Sequence, residues 1–416
     1  MTPKIYAASH ILPVCSPPVE GGAIAVENGR IRAVGRVDEL AHAFGAPVAH
    51  FPGCAIIPGL VNAHSHLELT HFPSWKLRKG IDYSPRTYVD WIIQVIKVRR
   101  ALSLHERELS VAEGIRISLE SGTTTVGEIV SDPSLISCYN SSLLAGRLFL
   151  EAIGQNEVHC EQVLASIAGC LDEDRNGRFR MGLSPHTPHT LSARFFSRLR
   201  EFARARSLPL SVHLAESRAE VDFLFDSTGP IAEKLYPFVG WQEHVPPPRR
   251  TTPAAYLDSL GILSPGTVAV HCVHVTPADV EILRKSGVTV VLCPRSNDKL
   301  DHGAPPVHLL KKAGVPLALG TDSLASNDSL SMLDEVRFLL ERLPDEFTAA
   351  EALRMITLSG GQALGIGEEV GSLEPGKRAD FLVMEPFSNT SSGDINRHIL
   401  EKGKLREVFI EGNPLG

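Results

Sequence analysis

No two of the seven cysteines, at positions 15, 54, 138, 160, 170, 272 and 293, stand in a Cys-x-x-Cys arrangement. Their odd number and wide scatter argue against a disulfide framework or a cysteine-built zinc knuckle, and predict reduced thiols in a cytoplasmic protein. Long apolar runs are missing too, since none reaches the ~18 residues that span a bilayer. The start, Met1-Thr2-Pro3-Lys4-Ile5-Tyr6, lacks the charged region and apolar core of a secretory signal. Positive charge is not in excess: the formal net charge of -7 argues against a nucleic-acid surface. No Gly-x-Gly-x-x-Gly follows the first strand of the central series, so the dinucleotide fold loses its fingerprint. Low-complexity tracts are absent, and Val245-Pro246-Pro247-Pro248 reads as a stiff loop.

What is present is a repeating unit. Strand-like runs near 55–63, 123–129, 147–153, 179–184, 208–213, 267–272, 288–293 and 315–321 alternate with amphipathic segments such as Ala193 to Ser207 and Thr276 to Ser286. Strands alternating with helices predict a parallel sheet, and eight units predict an α/β fold closed as a (β/α)8 TIM barrel, here over residues 56–369. The ends read differently. Ala23 to Glu27 and Arg30 to Val34 flank an Asn28-Gly29 hairpin signal, and Phe381 to Met384 and Val408 to Ile410 are further short strands. Neither end has enough strands to bury a sheet face alone. Residues 1–55 and 370–416 are therefore expected to combine into one small β-sandwich-like domain.

Several central strands end on a residue able to bind a metal or move a proton. His64 and His66 follow Ile57-Pro58-Gly59-Leu60-Val61-Asn62-Ala63, and side chains two apart on a strand share a face. Alone, that pair reads equally well as two solvated loop histidines. His213, His271 and Asp322 terminate three later runs, at the carboxyl ends where barrel enzymes keep their chemistry. His64, His66, His213 and Asp322 supply three nitrogens and an oxygen, a set suited to zinc, with iron(II) as the other candidate. The fourth strand run, Phe179 to His186, has no lysine to bridge a second ion, so one divalent metal is expected. Such an ion activates water, and the reaction then needs proton transfer to and from the substrate. Glu216, three past His213, is the expected shuttle, with His271 and Asp322 assisting. His274 is expected to point elsewhere, and Cys272 and Cys293 to be packing residues.

Together, Pro58-Gly59-Leu60-Val61-Asn62-Ala63-His64-Ser65-His66, His213-x-x-Glu216, His271-Cys272-Val273-His274, Cys293-Pro294-Arg295-Ser296-Asn297 and Leu319-Gly320-Thr321-Asp322-Ser323 resemble the amidohydrolase superfamily. The similarity runs over nearly the whole chain. It is strongest to the aminohydrolase branch of cytosine, guanine, S-adenosylhomocysteine and aminodeoxyfutalosine deaminases and triazine chlorohydrolases. The resemblance implies a metal at His64, His66, His213 and Asp322, and proton transfer by Glu216 and His271. It also implies substrate contacts at His186 and Arg147, with Glu151 a candidate for ribose hydroxyls. The glutamate that holds ribose in S-adenosylhomocysteine deaminases, some nine residues past a tryptophan, has no acidic match after Trp91. Asp90-Trp91-Ile92, Phe149 to Gly154 and His66 to Thr70 look more like aminodeoxyfutalosine deaminases, which act in menaquinone synthesis. That substrate carries a benzoate, for which Lys76, Arg78 and Lys79, or Arg249 and Arg250, are candidate cations.

The expectation is thus a deaminase of an adenine nucleoside, with a small molecule as its partner and a homodimer as its assembly. Alternatives are an S-adenosylhomocysteine, methylthioadenosine or other nucleobase deaminase, a chlorohydrolase or a guanidine hydrolase. A non-enzymatic scaffold is disfavoured because all six metal and proton-transfer residues are present.

Overall fold

The computed structural model describes residues 3–80, 87–171, 177–385 and 394–416. Strands from both ends share one eight-stranded sheet. Lys4–Ile11, Val19–Glu20, Gly22–Glu27, Arg30–Arg36 and Val48–Pro58 come from the N-terminal part, and Phe381–Met384, Leu405–Ile410 and Asn413–Pro414 from the C-terminal part. The two sets join where Val48–Pro58 runs antiparallel to Phe381–Met384, with Pro58 opposite Phe381 and Ala55 opposite Met384. Asn28 and Gly29 both have positive φ, 52° and 74°, as the tight turn between Gly22–Glu27 and Arg30–Arg36 requires. Phe381 and Phe409 stack with ring centroids 4.4 Å apart in the apolar layer of this sheet.

The central strands are Leu60–Ser65, Thr123–Val130, Ala145–Ala152, Phe179–Pro185, Ser211–Leu214, Val268–His271, Thr289–Leu292 and Leu317–Leu319. They form two parallel four-stranded sheets, one from the first four strands and one from the last four. Parallel bridges between Leu183 and Leu210 and between Ser65 and Asp322 join the free edges and close the barrel. Val61, Ala63, Ile129, Phe149, Val268, Val270, Val291, Cys293 and Ala318 fill its interior, and Ala363, Leu364, Ile366 and Val370 pack under them as a floor. Cys293 is thus a packing residue, fully buried. Helices Ala193–Arg206 and Pro277–Ser286 start where hydroxyl caps sit, at Ser192 and Thr276, the latter in a capping box with Asp279. Among the described residues no helix is long and apolar enough to cross a membrane.

The first and last barrel strands are tied by side chain as well as backbone. Asn62 Oδ1 accepts from the backbone N–H groups of Thr321, at 3.1 Å, and His64, at 3.3 Å. Its Nδ2 donates to Thr321 Oγ1 at 2.7 Å. The Asp322 N–H donates to the His64 carbonyl at 3.1 Å, and the His66 N–H to the Asp322 carbonyl at 3.3 Å. Gly320 makes this approach possible: a Cβ there would lie 2.8 Å from both the His64 carbonyl oxygen and its Cβ, and 2.9 Å from its nitrogen. Backbone cannot give way as a flexible side chain would. Gly320→Ala is therefore expected to destabilise the protein by at least the ~1–3 kcal/mol typical of overpacking. Thermal unfolding of the variant checks this, and an unchanged melting temperature would show that the seam is looser than described.

Candidate active site

The polar ends of strands one, five, six and eight meet at the carboxyl mouth of the barrel. His66 Nε2 lies 3.2 Å from His64 Nε2 and 3.3 Å from His213 Nε2. Asp322 Oδ1 is 3.6 Å from His66 Nε2 and 3.8 Å from His64 Nε2. Its other oxygen accepts from Ser296 Oγ and Ser326 Oγ, both at 2.7 Å, so the carboxylate is oriented with Oδ1 toward the imidazoles. Among the described residues, His64, His66 and His213 are the one grouping of three potential metal ligands.

These residues fit a divalent ion. His213 Nδ1 sits 3.0 Å from the His186 carbonyl, an acceptor that fixes the proton on Nδ1 and leaves Nε2 as a bare lone pair. Burial drives the pKa of His64 down and those of His66 and His213 well down, so all three stay neutral. Burial alone would raise Asp322, but its interactions with His64 and the other histidines facing it hold its pKa well below the usual carboxylate range. For a tetrahedral zinc with ~2.05 Å bonds, the distance between ligand nitrogens is about 3.3 Å, which the two short contacts match.

Four non-glycine residues at these strand ends have positive φ: Ala215 at 50°, His271 at 70°, Cys272 at 50° and Asp322 at 57°. Such backbone is strained and persists where the surroundings dictate it. Glu220 provides the constraint for one of them, accepting from the N–H groups of Ala215 at 3.0 Å and Glu216 at 3.2 Å. The turn presents Glu216, whose pKa burial and then the Asp322 charge push well up. His271 Nδ1 is 2.9 Å from Asn297 Oδ1, leaving Nε2 unprotonated, without a hydrogen bond and 3.8 Å from Glu216 Oε1.

A cavity of about 370 Å3 opens over this cluster, and His66, His213, Glu216, His271 and Asp322 line its deep end. Glu151 and His186 also line it, with His186 Nε2 3.9 Å from Glu151 Oε1 and Nδ1 3.1 Å from Thr190 Oγ1. Burial raises the pKa of Glu151 and lowers that of His186 to about 3.

Arg147 is not brought to the cavity. It shares the inward face of the third strand with Glu151, but four residues earlier, which is roughly 13 Å closer to the floor. There its Nε donates to the Leu364 carbonyl at 2.7 Å and its Nη1 to the Met181 carbonyl. It neither lines the cavity nor pairs with Glu151, and its place is structural. The candidate benzoate cations also sit elsewhere. Arg78 and Lys79 pair with Glu106, Arg250 pairs with Asp226, and Arg249 lies 4.3 Å over the Tyr256 ring. None of these four, nor Lys76, lines the cavity.

The lining cations are instead Arg99 and Arg100, at the end of helix Tyr88–Arg100. Arg99 is held by Glu68 Oε1 at 3.2 Å and by Ser131 Oγ. Arg100 is exposed at the mouth, 5.3 Å over the Phe238 ring, with no carboxylate at ion-pair distance among the described residues. Trp91 and Trp241 line the same cavity, as do Tyr88 and Glu68. The sequence signal for Arg99 and Arg100 was a helix whose apolar face, Tyr88, Trp91, Val95 and Val98, ends on two adjacent arginines.

A model of the amidohydrolase family matches residues 55–415. A 5-methylthioadenosine/S-adenosylhomocysteine deaminase of Moorella thermoacetica is 32% identical over 389 residues, covering 90% of this chain and 84% of the relative. An aminodeoxyfutalosine deaminase of Deinococcus radiodurans is 32% identical over 338 residues, covering 78% and 77%. Among solved structures, Helicobacter pylori aminofutalosine deaminase in complex with methylthio-coformycin matches with a TM-score of 0.88 at 22% identity, over 99% of this chain and 100% of that one. A zinc-bound adenosine deaminase from Xanthomonas campestris gives 0.77 at 26% identity, over 99% and 92%. With the barrel, its strand-end ligands and a family match over most of its length, the chain belongs to the amidohydrolase family.

Proposed function

We propose that the protein is a metal-dependent hydrolytic deaminase of an adenine nucleoside, acting on 6-aminodeoxyfutalosine to give futalosine in menaquinone synthesis. The observation that carries this reading is the convergence of three imidazole nitrogens and Asp322 Oδ1 beside Glu216 and His271, at the deep end of one cavity. A divalent ion there, zinc for this donor set, would lower the pKa of a water from ~15.7 toward ~7.

The remaining chemistry belongs to the chain. Glu216, with its raised proton affinity, holds a proton and places it on the purine ring nitrogen next to the carbon under attack. His271 presents an unprotonated Nε2 to the attacking water, because its own proton is committed to Asn297. The displaced amine takes up a proton and departs as ammonia, and the ring carbon gains the oxygen of water. His186 and Glu151, side by side on the cavity wall, meet the ribose.

The finer assignment of substrate rests on Arg99 and Arg100. The position nine past Trp91 is Arg100, a cation at the cavity mouth where an anionic tail on the nucleoside would emerge. A benzoate supplies that anion. 5′-Methylthioadenosine, whose 5′ tail is an uncharged methylthio group, offers Arg100 nothing to pair with.

Three outcomes test the reading. Glu216→Gln should retain its metal and lose ammonia release by ~10²- to 10⁴-fold, the usual worth of a positioned acid-base group; full activity would remove Glu216 from the mechanism. Dialysis against a chelator should abolish turnover and added zinc should restore it, whereas His213→Ala should neither hold the ion, by elemental analysis, nor recover. Arg100→Ala should raise KM for aminodeoxyfutalosine about tenfold to a hundredfold, the loss of a charged hydrogen bond, and leave KM for 5′-methylthioadenosine nearly unchanged. Equal effects on both substrates would count against the benzoate contact.

A further inference from the structure

One buried imidazole beside Glu216 has no place in the chemistry above. His302 follows helix Pro294–Lys299, with its N–H bonded to the Asn297 carbonyl at 2.9 Å. Its side chain is buried, and neither ring nitrogen has a hydrogen-bond partner. Buried polar atoms without partners are uncommon and ask for a reason. His302 Nδ1 lies 3.5 Å from Glu216 Oε1, and His271 Nε2 faces the same oxygen from 3.8 Å.

The two imidazoles are not equivalent. The proton of His271 is on Nδ1, facing Asn297, so its Nε2 has none to give. His302 has no competing acceptor on either nitrogen. Burial takes its pKa to about 3, so the ring is neutral and carries one N–H. The backbone of Glu216 is already fixed through Glu220, and the rotation of its carboxyl group is what remains to be set.

We infer that His302 is a positioning residue for Glu216, donating its Nδ1–H to Oε1 so that Oε2 is turned toward the substrate. The contact tightens when substrate fills the cavity, as catalytic hydrogen bonds commonly do. The inference rests on the deaminase reading for the role of Glu216, although the contact itself does not. The competing role for His302 is packing alone: its ring stands edge to face with Tyr88, centroids 5.5 Å apart at 65°.

Two variants separate these roles because each keeps what the other removes. His302→Asn retains an N–H close to the place of Nδ1 without the ring, and His302→Phe retains the ring without the N–H. With 5′-methylthioadenosine and aminodeoxyfutalosine as probes, positioning predicts that the Asn variant keeps kcat within about threefold. The Phe variant should lose ~10- to 100-fold in kcat with KM little changed, as a misplaced catalytic group does. The reverse ranking would assign His302 to packing and overturn the inference. Histidine-15N NMR of the metal-loaded wild type reads the tautomer with no substrate present, using His302→Phe to identify the signals. A proton on Nδ1 is expected, and one on Nε2 would overturn the inference. Should the wild type deaminate no adenine nucleoside, the deaminase reading fails and the tautomer still decides the contact.

Discussion

Asp322 donates its backbone N–H to the carbonyl of His64 and accepts from the N–H of His66, so the last barrel strand is locked to the first at the residues whose side chains converge. Asn62 adds two hydrogen bonds across the same seam and one within its own strand, and Gly320, which has no Cβ, lets the strands approach. Closure of the barrel and assembly of the ligand set are therefore one event. The cost of bringing three ligands from opposite ends of the sequence together is met by folding, and a cation finds them placed already. Only His213 comes from elsewhere, and the His186 carbonyl fixes its tautomer.

Regular strands would not deliver these groups. A strand alternates its side chains between the barrel interior and the helices, which places residues but does not lift them into a cavity above the barrel. The positive φ values at Ala215, His271, Cys272 and Asp322 break the strand geometry at its carboxyl end. Each such residue costs of order ~1–3 kcal/mol, and the strain is concentrated on three of the four strand ends that carry the chemistry.

The parts of this design with a period were legible in the sequence. All eight barrel strands were visible as apolar runs, and their polar ends named His64, His66, His213, Glu216, His271 and Asp322. Arg147, expected at the substrate from the family resemblance, stands elsewhere. Periodicity gives the face of a strand but not the height along it, and Arg147 shares a face with Glu151 while standing near the floor. The cavity mouth has no period at all. Arg99, Arg100 and Trp91 lie on a helix inserted between the first and second barrel strands, and Trp241 lies in a loop after the fifth. Nothing in their spacing fixes how those segments fold back over the barrel. His302 was invisible for the same reason, because its loop is held by a backbone hydrogen bond to Asn297 that no local pattern announces.

Three further buried carboxyl groups, Glu128, Glu220 and Glu335, lie close around the ligand set, and they do not compete with it for a cation. Burial raises the pKa of each to about 8, against the pull of its hydrogen bonds. Glu128 accepts from Leu67 N–H, Ser65 Oγ and Tyr139 Oη. Glu220 accepts from the N–H groups of Ala215 and Glu216, and Glu335 from Asn327 Nδ2, while the same Nδ2 also donates to the Thr321 carbonyl. Each thus braces the turn that follows one functional strand, the first, the fifth and the eighth, and Glu335 also accepts from the Arg295 N–H. A carboxyl group occupied in this way has no oxygen free for metal, and its weak acidity keeps negative charge out of the layer behind the site. Asp322 is the exception, its pKa well below the usual carboxylate range, so the negative charge of the cluster is concentrated where a cation would be bound.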